Sequence, residues 1–145
     1  MIVGRGDDVP RLQARVADLA LEDSVLFTGR VSEGTLKALY RRAAAFAMPS
    51  RAEGFGLVYL EAMLRRLPCI GSIHDAAGEI IVDGETGYLV DQDDVNDLAA
   101  KIVRLLGDPG LRARLGCNGW ERLQRQFSFA QFHSRIADLL DKLAA

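Results

Sequence analysis

Long apolar runs are missing from this chain: no stretch approaches the roughly 20 consecutive apolar residues that a membrane-spanning helix needs, and no signal peptide is read at its start. Cysteine is scarce. Cys69 and Cys117 are the two present, too far apart in sequence for a metal-ligand or redox spacing, and both read as small buried hydrophobes. Charge of one sign is not in excess, since 18 lysines and arginines face 20 aspartates and glutamates for a net charge of −2. That balance excludes the global electrostatic footprint of a nucleic-acid binder, and Arg41-Arg42 and Arg65-Arg66 read as solvated helix faces. Pro/Gly-rich linkers, internal repeats and low-complexity tracts are also lacking. With two histidines, no Ser/His/Asp or Cys/His constellation can be assembled, so hydrolase chemistry has no support. His74 reads as a satisfied loop residue, and His133 as structural or exposed.

What remains is the composition of a globular protein, with 49% apolar and 26% charged residues. A length of 145 residues suits one domain with a single core. Apolar, β-rich runs alternate with helix-period segments, the pattern of an α/β fold whose parallel sheet is covered by helices. "MIVG" predicts a short buried strand, followed by the helix "DVPRLQARVADLAL" with Leu12, Val16 and Leu19 on one face. "SVLFTG" is the second strand. "SEGTLKALYRRA" opens with Ser32 as an N-cap and is expected to bury Leu36, Leu39 and Tyr40. "AFAMP" forms a third strand stopped by Pro49, and "PCIGS" a fourth. "AAGEIIVDGETGYLV" predicts a brief helix, a turn at Asp83-Gly84 and the last strand "GYLV". Asp91 to Asp94 give an acidic start to the helix "VNDLAAKIVRLLGD". From Pro109 the chain is expected to be helical with a break near "FSF", and "AQFHSRIADLLDKLAA" carries a heptad-like apolar stripe. A chain that opens inside a strand is expected to lack upstream neighbours.

The stretch "PSRAEGFGLVYLEAM", Pro49 to Met63, concentrates the chemistry. In an open α/β sheet, ligands bind beyond the carboxyl ends of the strands, where loops lead into helix N-termini whose N–H groups lack partners. Gly54 and Gly56 permit a bulky anion such as a phosphate to approach the backbone, and Phe55 between them is expected to anchor the turn in the core. Glu61 lies one helical turn beyond Leu57, and its carboxylate leans back toward the same edge. It falls about 40° from Leu57 and about 60° from Leu64, beside an apolar stripe formed with Leu60 and Leu67. A carboxylate there can take two hydrogen bonds from a vicinal diol such as a ribose, while Glu53 in the loop could accept from sugar hydroxyls. The plainer alternatives are an acid favouring a helix N-terminus for Glu53 and an i,i+4 ion pair with Arg65 for Glu61. "GRGDDV", from Gly4 to Val9, has Val9 where the third glycine of a dinucleotide fingerprint belongs, which argues against hydride transfer. Its loop is expected to border a nucleotide cleft.

"PSRAEGFGLVYLEAMLRRLPCIGS" resembles the E-x7-E segment of retaining, nucleotide-sugar-dependent glycosyltransferases of family 4. The likeness continues through "AAGEIIVDGETGYLVDQDDVNDLAAKIVRLLGDPGLRARLG" and upstream through "IVGRGDDVPRLQARVADLALEDSVLFTGRVSEGTLKALYRRA", covering nearly the whole chain. It implies a Rossmann-like parallel sheet flanked by helices, the C-terminal, donor-binding half of a GT-B fold, with a helical C-terminal tail. Residues 1–145 would form the donor domain without its first strand-helix unit and without the N-terminal acceptor domain. By this resemblance Glu61 holds the ribose and Glu53 is the catalytic-site carboxylate contacting the donor sugar. The backbone of Gly54, Phe55, Gly56, Leu57 and Val58 meets the diphosphate and sugar, and Gly29, Arg30 and Val31 lie near the base. The donor is a nucleotide sugar such as a UDP- or GDP-sugar, with no metal or other cofactor. The arginine and lysine that clamp the diphosphate in the family are not matched, and "SIHDAAGEI" replaces the usual glycine-glycine turn. The isolated chain is therefore expected to be inactive, with a cytoplasmic parent enzyme that works at a membrane periphery. Its last helix is expected to pack on the missing acceptor domain and, without it, to leave a surface for self-association. Two other readings share the scaffold: a non-catalytic nucleotide-binding or interaction module, and a phosphorylase-like or sugar-phosphate synthase role.

Overall fold

The computed structural model describes residues 1–51 and 54–144, in two compact units, one Met1–Leu39 and the other from Tyr40 onward. In the first, β1 (Ile2–Val3) pairs in parallel with β2 (Phe27–Gly29), and α1 (Val9–Asp18) connects them. Pro10 in the first turn of α1 suits a position where the missing N–H costs nothing. α2 (Glu33–Arg42) follows, with Ser32 as its cap: the Thr35 N–H donates to Ser32 Oγ across 3.2 Å. β1 was expected to be buried and is not, Ile2 and Val3 being about 40% exposed. Leu19 is exposed as well, and Leu12, Val16, Leu36 and Leu39 are half-buried. Two strands and one crossover helix have too little apolar surface to enclose a side chain, and no residue of Met1–Leu39 is fully buried.

The core lies in the second unit. Three parallel strands, β3 (Phe46–Ala47), β4 (Cys69–Ser72) and β5 (Gly87–Val90), pair in sequence order with Cys69 opposite Phe46 and Gly87. Side chains alternate across a strand, so β4 sends Cys69 to one core and Ile70 to another. Cys69 packs with Tyr59, Ala62 and Met63 of α3 (Leu57–Met63) and with Ala77 and Ile80 of α4 (Ala77–Ile80). Ile70 packs with Tyr88 and Val90 of β5, Leu105 of α5 (Val95–Gly107), and Leu111 and Leu115 of α6 (Pro109–Gln126). The expected strand "GYLV" is β5. α5 starts at Asp94, whose carboxylate accepts from the N–H groups of Asn96 and Asp97, and Asp108 caps α6 through the Leu111 N–H.

α6 holds the second unit from outside the sheet. Gly116 sits so close to the turn after α3 that a β-carbon there would lie 2.0 Å from the Arg66 carbonyl oxygen. That turn is a Schellman motif: Arg66 takes a left-handed φ of 56°, and the N–H groups of Arg66 and Leu67 return to the carbonyls of Met63 and Ala62. Arg122 donates from Nε to the Ile80 carbonyl and from a terminal nitrogen to that of Glu79, each across 2.8 Å. Asn118 donates to the Glu85 carbonyl.

Cys117, expected to be buried, is exposed, because position 117 points away from the contacts made by Gly116 and Gly119. Cys69 is buried, and burial pushes its thiol well above the usual range. The break near "FSF" separates α6 from α7 (Phe129–Ala144), where Phe129, Phe132, Ile136, Leu139, Leu140 and Leu143 are all exposed. His133 is exposed on the same helix, near the Phe129 ring. Among the described residues no helix is long and apolar enough to cross a membrane.

Candidate functional site

β3 ends at Ala47, and the chain passes through Met48, Pro49, Ser50 and Arg51 before Gly54, Phe55 and Gly56 lead into α3. Glu53, the expected sugar-side carboxylate, lies outside the described residues, as does Ala52. The glycine turn is built differently from the expectation. Phe55 is 83% exposed and does not anchor it. Gly56 does: it is buried in the left-handed region at φ 67°, and a β-carbon on it would meet Ile80 Cδ1 at 2.8 Å and the Tyr59 ring at 2.9 Å. Both conformation and space require glycine there. Gly54 is exposed beside it, and Val58 is half-buried.

The face of α3 that packs inward also differs. Tyr59, Ala62 and Met63 are buried, whereas Leu57 is 64% exposed and Leu64 is exposed. Leu60 is half-buried, and Leu67 is buried only after the chain has left the helix. The side containing Leu57, Glu61 and Leu64 is thus an open face, and the Glu61 carboxylate bears no burial cost there. Among the described residues its recorded partner is Tyr40 and not Arg65: the Tyr40 hydroxyl donates to Glu61 Oε2 across 3.3 Å. Tyr40, half-buried at the end of α2, has its phenol pushed up to about 12, first by desolvation and then by the Glu61 carboxylate. Its ring lies 5.7 Å from that of Phe46, which meets the Tyr59 ring edge-on at 5.8 Å.

The neighbouring carboxyl ends of β4 and β5 carry a polar network. The Ser72 hydroxyl donates to Gln92 Oε1 and accepts from the His74 N–H. His74 Nε2 lies 3.5 Å from Asp91 Oδ1, and Arg51 pairs with Asp93. The Asp93 N–H is the main cause holding the Asp91 carboxyl below its usual range, with His74 and Arg51 adding to it. Asp75 Oδ1 accepts from the Ala77 N–H, while its Oδ2 is buried with no partner among the described residues.

In the first unit, Gly4 at φ 123° and Gly29 at φ 62° terminate the two strands, and the Gly4 N–H donates to the Gly29 carbonyl across 3.0 Å. These glycines border a cavity of about 570 Å³ with Arg5, Gly6, Asp7 and Gln13. Arg30 is exposed and Val31 half-buried, and neither lines the cavity. The expected ligand residues therefore fall into two groups. Gly4, Gly29, Arg30 and Val31 belong to Met1–Leu39, and Gly54 to Val58 with Glu61 belong to the second unit. Tyr40 and Arg51 were not expected at the site. Tyr40 stands 21 positions from Glu61, a separation that no local periodicity reveals.

Parallel strands flanked by helices match the C-terminal domains of GT-B glycosyltransferases. The chain belongs to the glycosyl transferases group 1 family, whose sequence profile matches residues 1–122. It is 36% identical over 133 residues to the lipopolysaccharide core biosynthesis mannosyltransferase LpcC of Rhizobium leguminosarum bv. viciae, covering 92% of this chain and 37% of that protein. It is 34% identical over 146 residues to a GDP-mannose-dependent alpha-(1-6)-phosphatidylinositol monomannoside mannosyltransferase of Mycolicibacterium smegmatis, covering 96% and 38%. The chain thus spans less than two fifths of the length of these relatives. Among solved structures, the C-terminal domain of LpcC from Francisella tularensis superposes with a TM-score of 0.77 at 31% identity, over 85% of this chain and 64% of that one. Anabaena Alr3699/HepE, in complex with UDP and glucose, gives 0.86 at 26% identity, over 97% and 39%.

Proposed function

We propose that this chain is the donor-binding half of a retaining glycosyltransferase of the family 4 type, which moves a sugar from a nucleotide sugar to an acceptor hydroxyl. The observation that carries the reading is the Glu61 carboxylate, open to solvent on the outer face of α3, one turn beyond a glycine turn that only Gly56 can make. An acceptor-only group in that position suits the vicinal hydroxyls of a ribose. Relatives give the chemistry its range: HepE has been solved with UDP and with UDP-glucose, and the M. smegmatis relative is GDP-mannose-dependent. Both nucleotides carry a ribose and a diphosphate.

On this reading the backbone from Gly54 to Val58 meets the diphosphate, Glu53 contacts the donor sugar, and the loops at Gly4 and at Gly29 to Val31 serve the nucleotide. Backbone N–H groups and cationic side chains balance the charge of the departing diphosphate, and no metal is invoked. Because the chain spans 37% of its Rhizobium relative, acceptor binding and turnover are assigned to the whole enzyme. The test is an amide-resolved NMR titration with UDP, GDP and ADP, beside a Glu61→Ala variant. Saturable shifts at Gly54 to Val58 with one nucleotide, lost in the variant, are the expected result. Silence toward all three nucleotides overturns the reading for this chain.

A further inference from the structure

We propose that Tyr40 is a positioning residue for the Glu61 carboxylate, and that the pair together discriminates ribonucleotides from deoxyribonucleotides. The inference rests on the reading of Glu61 as the ribose carboxylate and adds the group that aims it. A glutamate on an open helix face samples several rotamers, and holding one of them for a ligand costs conformational entropy. The Tyr40 hydroxyl reduces that freedom by occupying one lone pair of Oε2. A carboxylate has about four lone-pair sites, so enough remain for two hydroxyls of a diol. At 3.3 Å the bond is long for O–H···O, and its value lies in direction more than in strength.

The donor is itself fixed. Tyr40 leans on Phe46 of β3, Phe46 meets Tyr59 edge-on, and the Tyr59 hydroxyl donates to the Met48 carbonyl. A row of three rings thus runs from the buried side of α3 to a carboxylate on its open side. The raised phenol stays protonated at neutral pH, so Tyr40 remains a donor throughout the working range. The Tyr40–Phe46 and Phe46–Tyr59 contacts require only the ring, whereas the bond to Glu61 requires the hydroxyl. Tyr40→Phe separates the two.

The experiment measures the affinity of the 145-residue chain for UDP and GDP, each beside its 2′-deoxy form, in the native sequence, Tyr40→Phe and Glu61→Gln. The native chain is expected to prefer the ribonucleotide by about tenfold, the scale of one hydrogen bond to a charged group. Glu61→Gln should abolish the preference. Tyr40→Phe should reduce it severalfold by weakening the ribonucleotide more than the deoxy form, which keeps only its 3′-hydroxyl for Glu61, with the melting temperature held. Absence of binding or of any preference in the native chain overturns the ribose reading and the inference with it. A native preference that Glu61→Gln removes and Tyr40→Phe leaves intact overturns the inference alone. An equal loss for both sugars in Tyr40→Phe, which a merely structural role would produce, also overturns it.

Discussion

The hydroxyl of Tyr59 donates to the carbonyl oxygen of Met48 across 2.5 Å, so a fully buried residue of α3 grips the strand end from which its own loop departs. The side chain that fills the core therefore also sets where the loop toward Glu53 begins. Tyr59→Phe keeps the ring and leaves the Met48 carbonyl without that donor, at a cost of about 1–2 kcal/mol. Chemical denaturation should show the midpoint lowered with the slope unchanged. An unaltered midpoint would mean that water replaces the phenol.

Gly116 predicts a larger loss. A β-carbon 2.0 Å from the Arg66 carbonyl oxygen meets backbone, which cannot swing aside, so α6 must lift from the turn after α3. Gly116→Ala should destabilise by about 3 kcal/mol, the upper part of the overpacking range, despite the better helix propensity of alanine. A thermal melt should move down by roughly 6–12 °C. A melt raised by the substitution would show that propensity had won.

Tyr40 makes stability depend on alkaline pH. Its folded value of about 12 lies above the ordinary 10.0, chiefly through desolvation. Between those values the unfolded chain releases a proton that the folded chain keeps. The contribution is therefore whole below pH 10 and is lost as pH rises through 12. Tyrosinate absorbance followed in the native chain and in Tyr40→Phe should differ by one group titrating near 12. A difference centred near 10 would remove the desolvated phenol from the account.

The apolar face of α7 should make the isolated chain self-associate. Phe132, Leu139 and Leu140 are exposed, and a stripe of this kind is unusual on a monomer. Light scattering should report a mass that rises with concentration, and Leu139→Glu with Leu140→Glu should return it to that of a monomer. The melting temperature should hardly move, since both side chains are already exposed. A clean monomer of the native chain at high concentration contradicts this.

The parts of the fold legible in the sequence are those where one local rule acts alone. "GYLV" after Asp83-Gly84 is strand β5, and the acidic run Asp91 to Asp94 opens α5, with Asp94 as its cap. Reading failed where tertiary contacts decide. On α3 the leucines suggested the inner face, but the helix is seven residues long and its buried side is set by Tyr59 against β3 and α4. Phe55 looked like an anchor by its size, yet the absent side chain of Gly56 is what fits against Ile80. Gly54, Gly56 and Glu61 stand out by their spacing, whereas the bond from Tyr40 to Glu61 joins residues 21 positions apart and leaves no periodic trace.

Arg122 gives α4 a cap borrowed from another helix. Four residues make a single turn, and a turn that fixes several dihedrals for few hydrogen bonds does not stand alone in water. Two carbonyls at its end, those of Glu79 and Ile80, are satisfied by a guanidinium more than 40 positions downstream. During synthesis, α4 and the loop before it leave the ribosome well ahead of the group that completes them. Those two carbonyls therefore have to wait for α6 to emerge and dock before their bonds to Arg122 can form.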